Sequence, residues 1–184
     1  RNDWSSTLPI ESRSYFYPSV SGSFVFSDAF KLNNSFFDYG KIRASWSKVG
    51  RDADPYFLND VFALGSNFLG QPTASRDNTS PDPNLKPEFT NEYEIGTNLS
   101  FFKRRIELDF TYYNRFSTNL LAPIVVPVTS GYDEYYTNFG EITNEGFEIG
   151  LSVTPLKSRD FSWNIYGAFT KNKNMVTKLT EGVE

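Results

Sequence analysis

Four carboxylates are the first residues of this chain that could do chemistry. Glu92, Glu94, Glu107 and Asp109 flank a tight basic turn, Lys103-Arg104-Arg105. Two carboxyl groups at a fixed separation are the equipment of glycoside hydrolysis, one as acid and the other as base or nucleophile. That chemistry needs one proton held in a dry, apolar surrounding. Here all four fall in the polar register of an alternating pattern, so they face water together and no catalytic role is assigned. Asp52 and Asp54 could begin a calcium loop, but the spacing fails at Pro55 and no Glu follows in register. They are read as loop residues. The chain has no histidine and no cysteine. This excludes His-based triads, His-ligated zinc, thiolate metal sites and disulfides, and no cofactor is expected. A cysteine-free chain is compatible with an oxidising periplasm or a cell surface.

The pattern that positions those carboxylates organises the chain. From Phe89 the odd positions are Phe89, Asn91, Tyr93, Ile95, Thr97, Leu99 and Phe101; the even ones are Thr90, Glu92, Glu94, Gly96, Asn98 and Ser100. After the basic turn it resumes with Ile106, Leu108, Phe110 and Tyr112 against Glu107, Asp109, Thr111 and Tyr113. Period two sustained this long means two antiparallel strands, each with an apolar and a wet face. At about 10 residues or more they are long for a soluble sheet and ordinary for a membrane-crossing strand.

Composition narrows the classes. Of 184 residues only 39% are hydrophobic, and mean hydropathy is -0.45, so no helical membrane span is expected; a transmembrane barrel, with its weaker signal per strand, stays open. Aromatics reach 17%, with 18 Phe and 11 Tyr, which suits the aromatic girdles of a membrane barrel or an aromatic sandwich core. A net charge of -4 with scattered basic residues argues against nucleic acid. Arg1 and the polar run Lys178 to Glu184 give the reading of a piece cut from something longer.

In order, residues 1–14 read as loop, and strands are expected over 15–27, 39–48, 88–102, 106–118, 135–154 and 161–172, all within one domain. In the second strand Ile42, Ala44 and Trp46 oppose Lys41, Arg43, Ser45 and Ser47. Asn33-Asn34 signals a turn, and Asn144-Glu145-Gly146, where the alternation slips, suggests a bulge. Links near 28–38, 103–105 and 155–160 are short, and those near 49–87 and 119–134 are long. Alternating short and long links fit a barrel with short turns at one rim and long loops at the other.

Several stretches, in order, resemble one family. Phe16-Tyr17-Pro18-Ser19-Val20-Ser21-Gly22-Ser23-Phe24-Val25-Phe26 is similar to a strand of SusC/RagA-type TonB-linked outer-membrane receptors. So are Lys41-Ile42-Arg43-Ala44-Ser45-Trp46, Pro83-Asn84-Leu85-Lys86-Pro87-Glu88, Glu92-Tyr93-Glu94-Ile95-Gly96, Leu108-Asp109-Phe110-Thr111-Tyr112-Tyr113-Asn114, the run from Asn138 to Glu148, and Phe161-Ser162-Trp163. The resemblance implies an all-β fold, an antiparallel transmembrane β-barrel of about 22 strands, of which this is part of the C-terminal half. It implies a Gram-negative outer membrane of Bacteroidetes type, with long loops outside and short turns in the periplasm. It further implies import of oligosaccharides or peptides with a SusD-like surface lipoprotein, energised by TonB–ExbB–ExbD, and no enzyme activity. The plug, the TonB box and the closing aromatic strand of that family have no counterpart in these residues.

Loop aromatics are the substrate-contact candidates: Tyr56 and Phe57, with Phe62 and Phe68, in the long loop, and Tyr132 and Tyr135, with Tyr136, after the second. Exposed rings can stack on sugars or anchor a partner; packing within a folded loop or an aromatic girdle is the weightier reading. Lys103-Arg104-Arg105, Lys157 and Arg159 read as a solvated barrel end. The alternative is a secreted β-sandwich carbohydrate-binding module. The discriminator is the apolar set Ile95, Leu99, Ile106, Leu108, Phe110, Ile149, Leu151, Phe161, Trp163 and Ile165, facing lipid together in a barrel and buried together in a sandwich.

Overall fold

The computed structural model describes residues 1–32 and 34–179. Near the start, β1 (Asn2–Trp4) pairs with β2 (Ser14–Phe16) across a 3-10 turn at Ile10–Ser12. Then β3 (Ser19–Val25) passes through one helical turn, α1 (Phe26–Ala29), into β4 (Phe37–Arg51). Three short strands follow, β5 (Phe62–Leu64), β6 (Ala74–Arg76) and β7 (Thr79–Ser80). The long strands are β8 (Glu88–Phe101), β9 (Ile106–Val125), β10 (Glu134–Lys157) and β11 (Ser162–Leu179).

One sheet dominates, in the order β3-β4-β8-β9-β10-β11, every neighbouring pair antiparallel. Along the β8–β9 pair Leu99 faces Leu108 and Ile95 faces Tyr112 on one side, while Asn98 faces Asp109 and Glu92 faces Arg115 on the other. The register therefore carries the period-two pattern across the whole sheet, with one apolar and one polar face.

No second layer covers the apolar face among the described residues. Ile95 is 52% exposed, Leu151 41%, Trp163 50% and Ile165 46%. A sandwich would bury these side chains between two sheets about 10 Å apart, so the sandwich reading fails. The buried apolar residues, Leu8, Tyr15, Ala53, Leu85 and Tyr136, gather instead at the end of the sheet where the longer loops lie. There the first 18 residues and the loop after β4 fold onto the strand ends.

The structure departs from the sequence reading in particular places. Residues 1–14 are not all loop, since Asn2–Trp4 pairs with Ser14–Phe16. The stretch 15–27 is broken at Tyr17-Pro18 and ends in the helical turn of Phe26–Ala29. The bulge is not at Asn144-Glu145-Gly146, which pair continuously with Arg115, Asn114 and Tyr113; the register slips between Asn138 and Ile142 instead, opposite Asn119 at φ 56°. Asn tolerates that left-handed backbone. Beyond the slip Leu120–Val125 pairs on with β10 despite Pro123, so the link read over 119–134 shrinks to 126–133. The link between β3 and β4 is longer than that, so rim-to-rim segregation by loop length is less clean than the sequence suggests. The run from Lys178 starts inside β11, and residues 180–184 lie outside the described residues, as does Asn33. Its neighbour Asn34 does turn the chain, Oδ1 accepting from the Phe36 and Phe37 amides at 2.9 Å each.

Candidate functional site

The polar face is built around Arg43. Alternation along β4 sends Lys41, Arg43, Ser45 and Ser47 to one side, and the register sets Arg43 opposite Gly96 of β8, which in turn faces Thr111 of β9. The guanidinium lies flat across the sheet. Nη2 donates to Asp109 Oδ1 at 2.9 Å and Nη1 to Oδ2 at 3.3 Å and to Asn98 Oδ1 at 2.7 Å; Thr111 Oγ1 accepts another bond. Nε stands 3.6 Å from Glu94 Oε1. Asn98 also donates to Asp109. A fork donor meeting a carboxylate through two bonds is the strongest pairing available to exposed charges. It ties three strands together through side chains.

Gly96 makes this possible. A Cβ there would stand 2.8 Å from Arg43 Cζ and Nε and 2.9 Å from Nη2, closer than ordinary contact. At Gly146 an added Cβ would meet the Lys171 carbonyl oxygen first and then, at 2.7 Å, Tyr113 Oη, which donates to Asn172 Oδ1 at 3.2 Å. Large side chains lie on the backbone of a neighbouring strand because that strand offers none of its own.

The four sequence-predicted carboxylates share this face but not one site. Glu94 and Asp109 flank Arg43, whereas Glu92 accepts from Arg115 Nε at 2.8 Å. Glu107 lines an open concavity of about 580 Å³ with Lys41, Arg104, Tyr39 and Tyr166. Two of these are cations, so the wall presents both signs of charge to whatever occupies that space. No group of three or more acidic, His or Cys side chains able to hold a metal occurs among the described residues. Arg43 escaped the sequence reading because its partners come from strands 55 and 66 positions away; the polar register gave its face, and only the pairing gave its neighbours.

The loop aromatics separate. Tyr56 is 77% exposed, on a backbone with φ 76°. Phe57 stacks on Tyr136 at 3.9 Å and 12°, against the buried cluster. Tyr132 donates to Asp60 Oδ1 at 2.8 Å, under the Arg76 guanidinium 4.0 Å from its ring centroid. That hydrogen bond first, then partial desolvation, raises the phenol above its ordinary value. Tyr135 is half-buried where β10 pairs in parallel with β7. Phe62 and Phe68 stay exposed. Asn78 Nδ2 donates to Asp133 Oδ2 at 2.7 Å and Arg76 to the Gly131 carbonyl, so the long loop is latched to the β9–β10 link.

The family model described as TonB dependent receptor-like, beta-barrel, matches residues 1–182. The chain belongs to that family. Among its relatives, TonB-dependent receptor P26 of Formosa agariphila is 30% identical over 183 residues, covering 97% of this chain and 18% of that protein. TonB-dependent receptor SusC of Bacteroides thetaiotaomicron is 26% identical over 191 residues, covering 99% and 19%. The RagAB peptide importer in its closed-closed state superposes with a TM-score of 0.87 at 23% identity, over 99% of this chain and 20% of the solved one. The chain thus spans about a fifth of the length of these relatives.

In a TonB-dependent receptor of the outer membrane the apolar face is the lipid-facing one and the polar face lines the lumen. The chain itself shows how the strands cross the bilayer. Toward the longer loops the unbroken apolar run ends at Phe169 on β11, Phe147 on β10, Tyr112 on β9, Tyr93 on β8 and Trp46 on β4, with Phe116 and Phe89 beyond the first polar residue. The next residues on that face are Lys171, Glu145, Asn114, Asn91 and Lys48. Following the register, this edge climbs two residue pairs between β11 and β4. That is about 13 Å of strand over about 19 Å of sheet, a tilt of about 35°, within the range of membrane barrels.

Proposed function

We propose that this chain is part of the wall of an outer-membrane importer that takes up oligosaccharides or peptides by TonB-dependent transport. The observation that carries the proposal is a single-layer sheet, lipid-facing on one side and lined on the other with polar and charged side chains of both signs. Such a wall suits the passage of polar solutes, because Arg43 is held by Asp109 while Lys41, Arg104 and Glu107 present charges of both signs to the space. The similarity to SusC and to a peptide importer supports nutrient uptake without choosing between glycan and peptide. A SusD-like lipoprotein at the long-loop rim and TonB–ExbB–ExbD at the other, engaged through parts of the receptor outside this chain, complete the proposed machine. No step in it requires catalysis.

At the long-loop rim, Tyr56 and Tyr132 are proposed as substrate-contacting rings, with Phe57 and Tyr135 holding them in place. The exposure of Tyr56 and the latched position of Tyr132 support this. Uptake by cells carrying the complete receptor tests the proposal. Labelled oligosaccharide or peptide is expected to accumulate only with an intact TonB system, with Tyr56→Ala and Tyr132→Ala slowing uptake at limiting substrate. Accumulation equal with and without TonB would overturn the transport reading, and unchanged uptake by both variants would overturn the assignment of the rings.

A further inference from the structure

Three phenylalanines from adjacent strands form a bent row on the lipid-facing side, Phe147 one residue pair nearer the long-loop rim than Phe110 and Phe169. Phe110, Phe147 and Phe169 have successive ring centroids 6.4 and 5.8 Å apart, tilted 30° and 37° to one another. One residue pair nearer the long-loop rim, Lys171 is the register partner of Phe147, and one further on Lys173 is that of Glu145. Alternation along β11 puts both lysines on the face that carries Phe169. Lys171 is exposed, and Lys173 Nζ, on a side chain 65% exposed, lies 3.7 Å from Glu145 Oε1.

We infer that this is a site for one lipid with a phosphate-bearing, anionic head group, in the leaflet on the long-loop side. Its acyl chain lies over the phenylalanine ladder and its phosphate sits between the ammonium groups of Lys171 and Lys173. The ladder continues the lipid-facing band, so an acyl chain against it takes the place of bulk lipid. The band ends at Phe169, and a head group one residue pair higher is displaced by about 7 Å, where the lysines stand. Their aliphatic stems cover apolar surface while the charged tips reach the head-group level.

Elsewhere along the edge the corresponding residues are Asn114, Asn91 and Lys48, and the Lys48 ammonium is already seated 3.9 Å over the Phe89 ring. Two adjacent lysines above a ring ladder occur only at β10–β11 among the described residues. Glu145 sets the selectivity. Without an anion between them it takes Lys173 for itself, so a neutral or zwitterionic head group gains little there. The inference rests on the barrel placement and is independent of what is imported.

The test is native mass spectrometry of the complete receptor in detergent, titrated with phosphorylated lipid A, with the same lipid after dephosphorylation, and with phosphatidylcholine. Wild type is expected to retain phosphorylated lipid A over both others. Lys171→Gln with Lys173→Gln should weaken retention about 25-fold, roughly fivefold for each lysine at an anionic head group. Glu145→Gln should strengthen it, and Lys48→Gln should leave it unchanged. Heat-dependent gel migration reports that each variant is a folded barrel. Wild-type retention by the folded double variant, or equal binding of the dephosphorylated lipid by wild type, would overturn the site.

Discussion

Replacing Gly96 with alanine should be better tolerated, by about 1 kcal/mol, when Arg43 is removed. The added Cβ would stand 2.8–2.9 Å from three guanidinium atoms where ordinary contact begins at 3.4 Å. The guanidinium must therefore rise by at least about half an ångström. That stretches bonds of 2.9 Å to Asp109 and 2.7 Å to Asn98 past good length. Charge-assisted bonds contribute about 1.5–3 kcal/mol, but the Asp109 side chain is 49% exposed, and solvent screening reduces the loss to about 1 kcal/mol. With Arg43→Ala the three closest atoms over Gly96 are gone, and alanine in a strand stabilises by about 0.5–1 kcal/mol relative to glycine. That gain is common to both backgrounds, so the two effects differ by the lost bonding alone, about 1 kcal/mol, outside the additivity expected of independent sites. Urea titration of the complete barrel, refolded into detergent or liposomes and followed by heat-dependent gel migration, gives the four stabilities of the cycle. An equal effect of Gly96→Ala in both backgrounds would refute the idea that this glycine exists to seat the guanidinium.

The two faces should differ sharply in tolerance. Leu151→Arg on the lipid side should cost about 2–4 kcal/mol in the same titration, while Ser152→Arg on the lumen side should cost close to nothing; equal costs would contradict the assigned faces. Leu85, fully buried, should lose about 2–4 kcal/mol as alanine, seen as faster hydrogen exchange around residues 82–87 with little change in the long strands. Tyr132 has a raised phenol pKa in the folded loop, so its contribution is complete below the ordinary tyrosine value and is lost as pH rises through the raised one. Proteolysis of the 52–87 loop should accelerate on that alkaline limb, and Tyr132→Phe should show the faster cleavage at neutral pH as well. Asp3 behaves oppositely. Its carboxyl is held below the ordinary range by hydrogen bonds from Tyr17 and then Arg1, so the attachment of β1 is complete above the ordinary carboxylate value and loosens as pH falls through the lowered one, measurable as acid-enhanced exchange over residues 1–17.

Much of the sheet was legible because alternation is a local signal. Phe89 to Phe101 and Ile106 to Tyr113 state their two faces outright, because one meets lipid and the other the watery lumen. The pairing of Arg43 with Asp109 was not legible, since it depends on the relative register of three strands. The continuation of β9 through Leu120–Val125 was hidden by Asn119 and Pro123, residues that usually end a strand and here sit at and beyond a bulge. The slip itself was misplaced by a few residues because Asn144-Glu145-Gly146 looked irregular. Gly146 in fact stays in register and is small because the Lys171 carbonyl and the Tyr113 ring both crowd the space a side chain would take. At the long-loop rim, Phe57 gave no local hint of its stacking on Tyr136, which requires the loop to fold back over strand ends far away in sequence.

Every long strand here pairs with its nearest long neighbours in the chain. A wall laid out in this way has no pairing that reaches across it, so each hairpin is a separable increment of circumference. Gaining or losing two strands would widen or narrow such a cylinder by a fixed step, diameter growing almost linearly with strand number, while leaving the rest of the pairing untouched. The tilt read from the apolar edge would have to be shared by any inserted pair. That makes the oblique line from Phe169 to Trp46 the dimension such a change must conserve, and pore size the one it is free to alter.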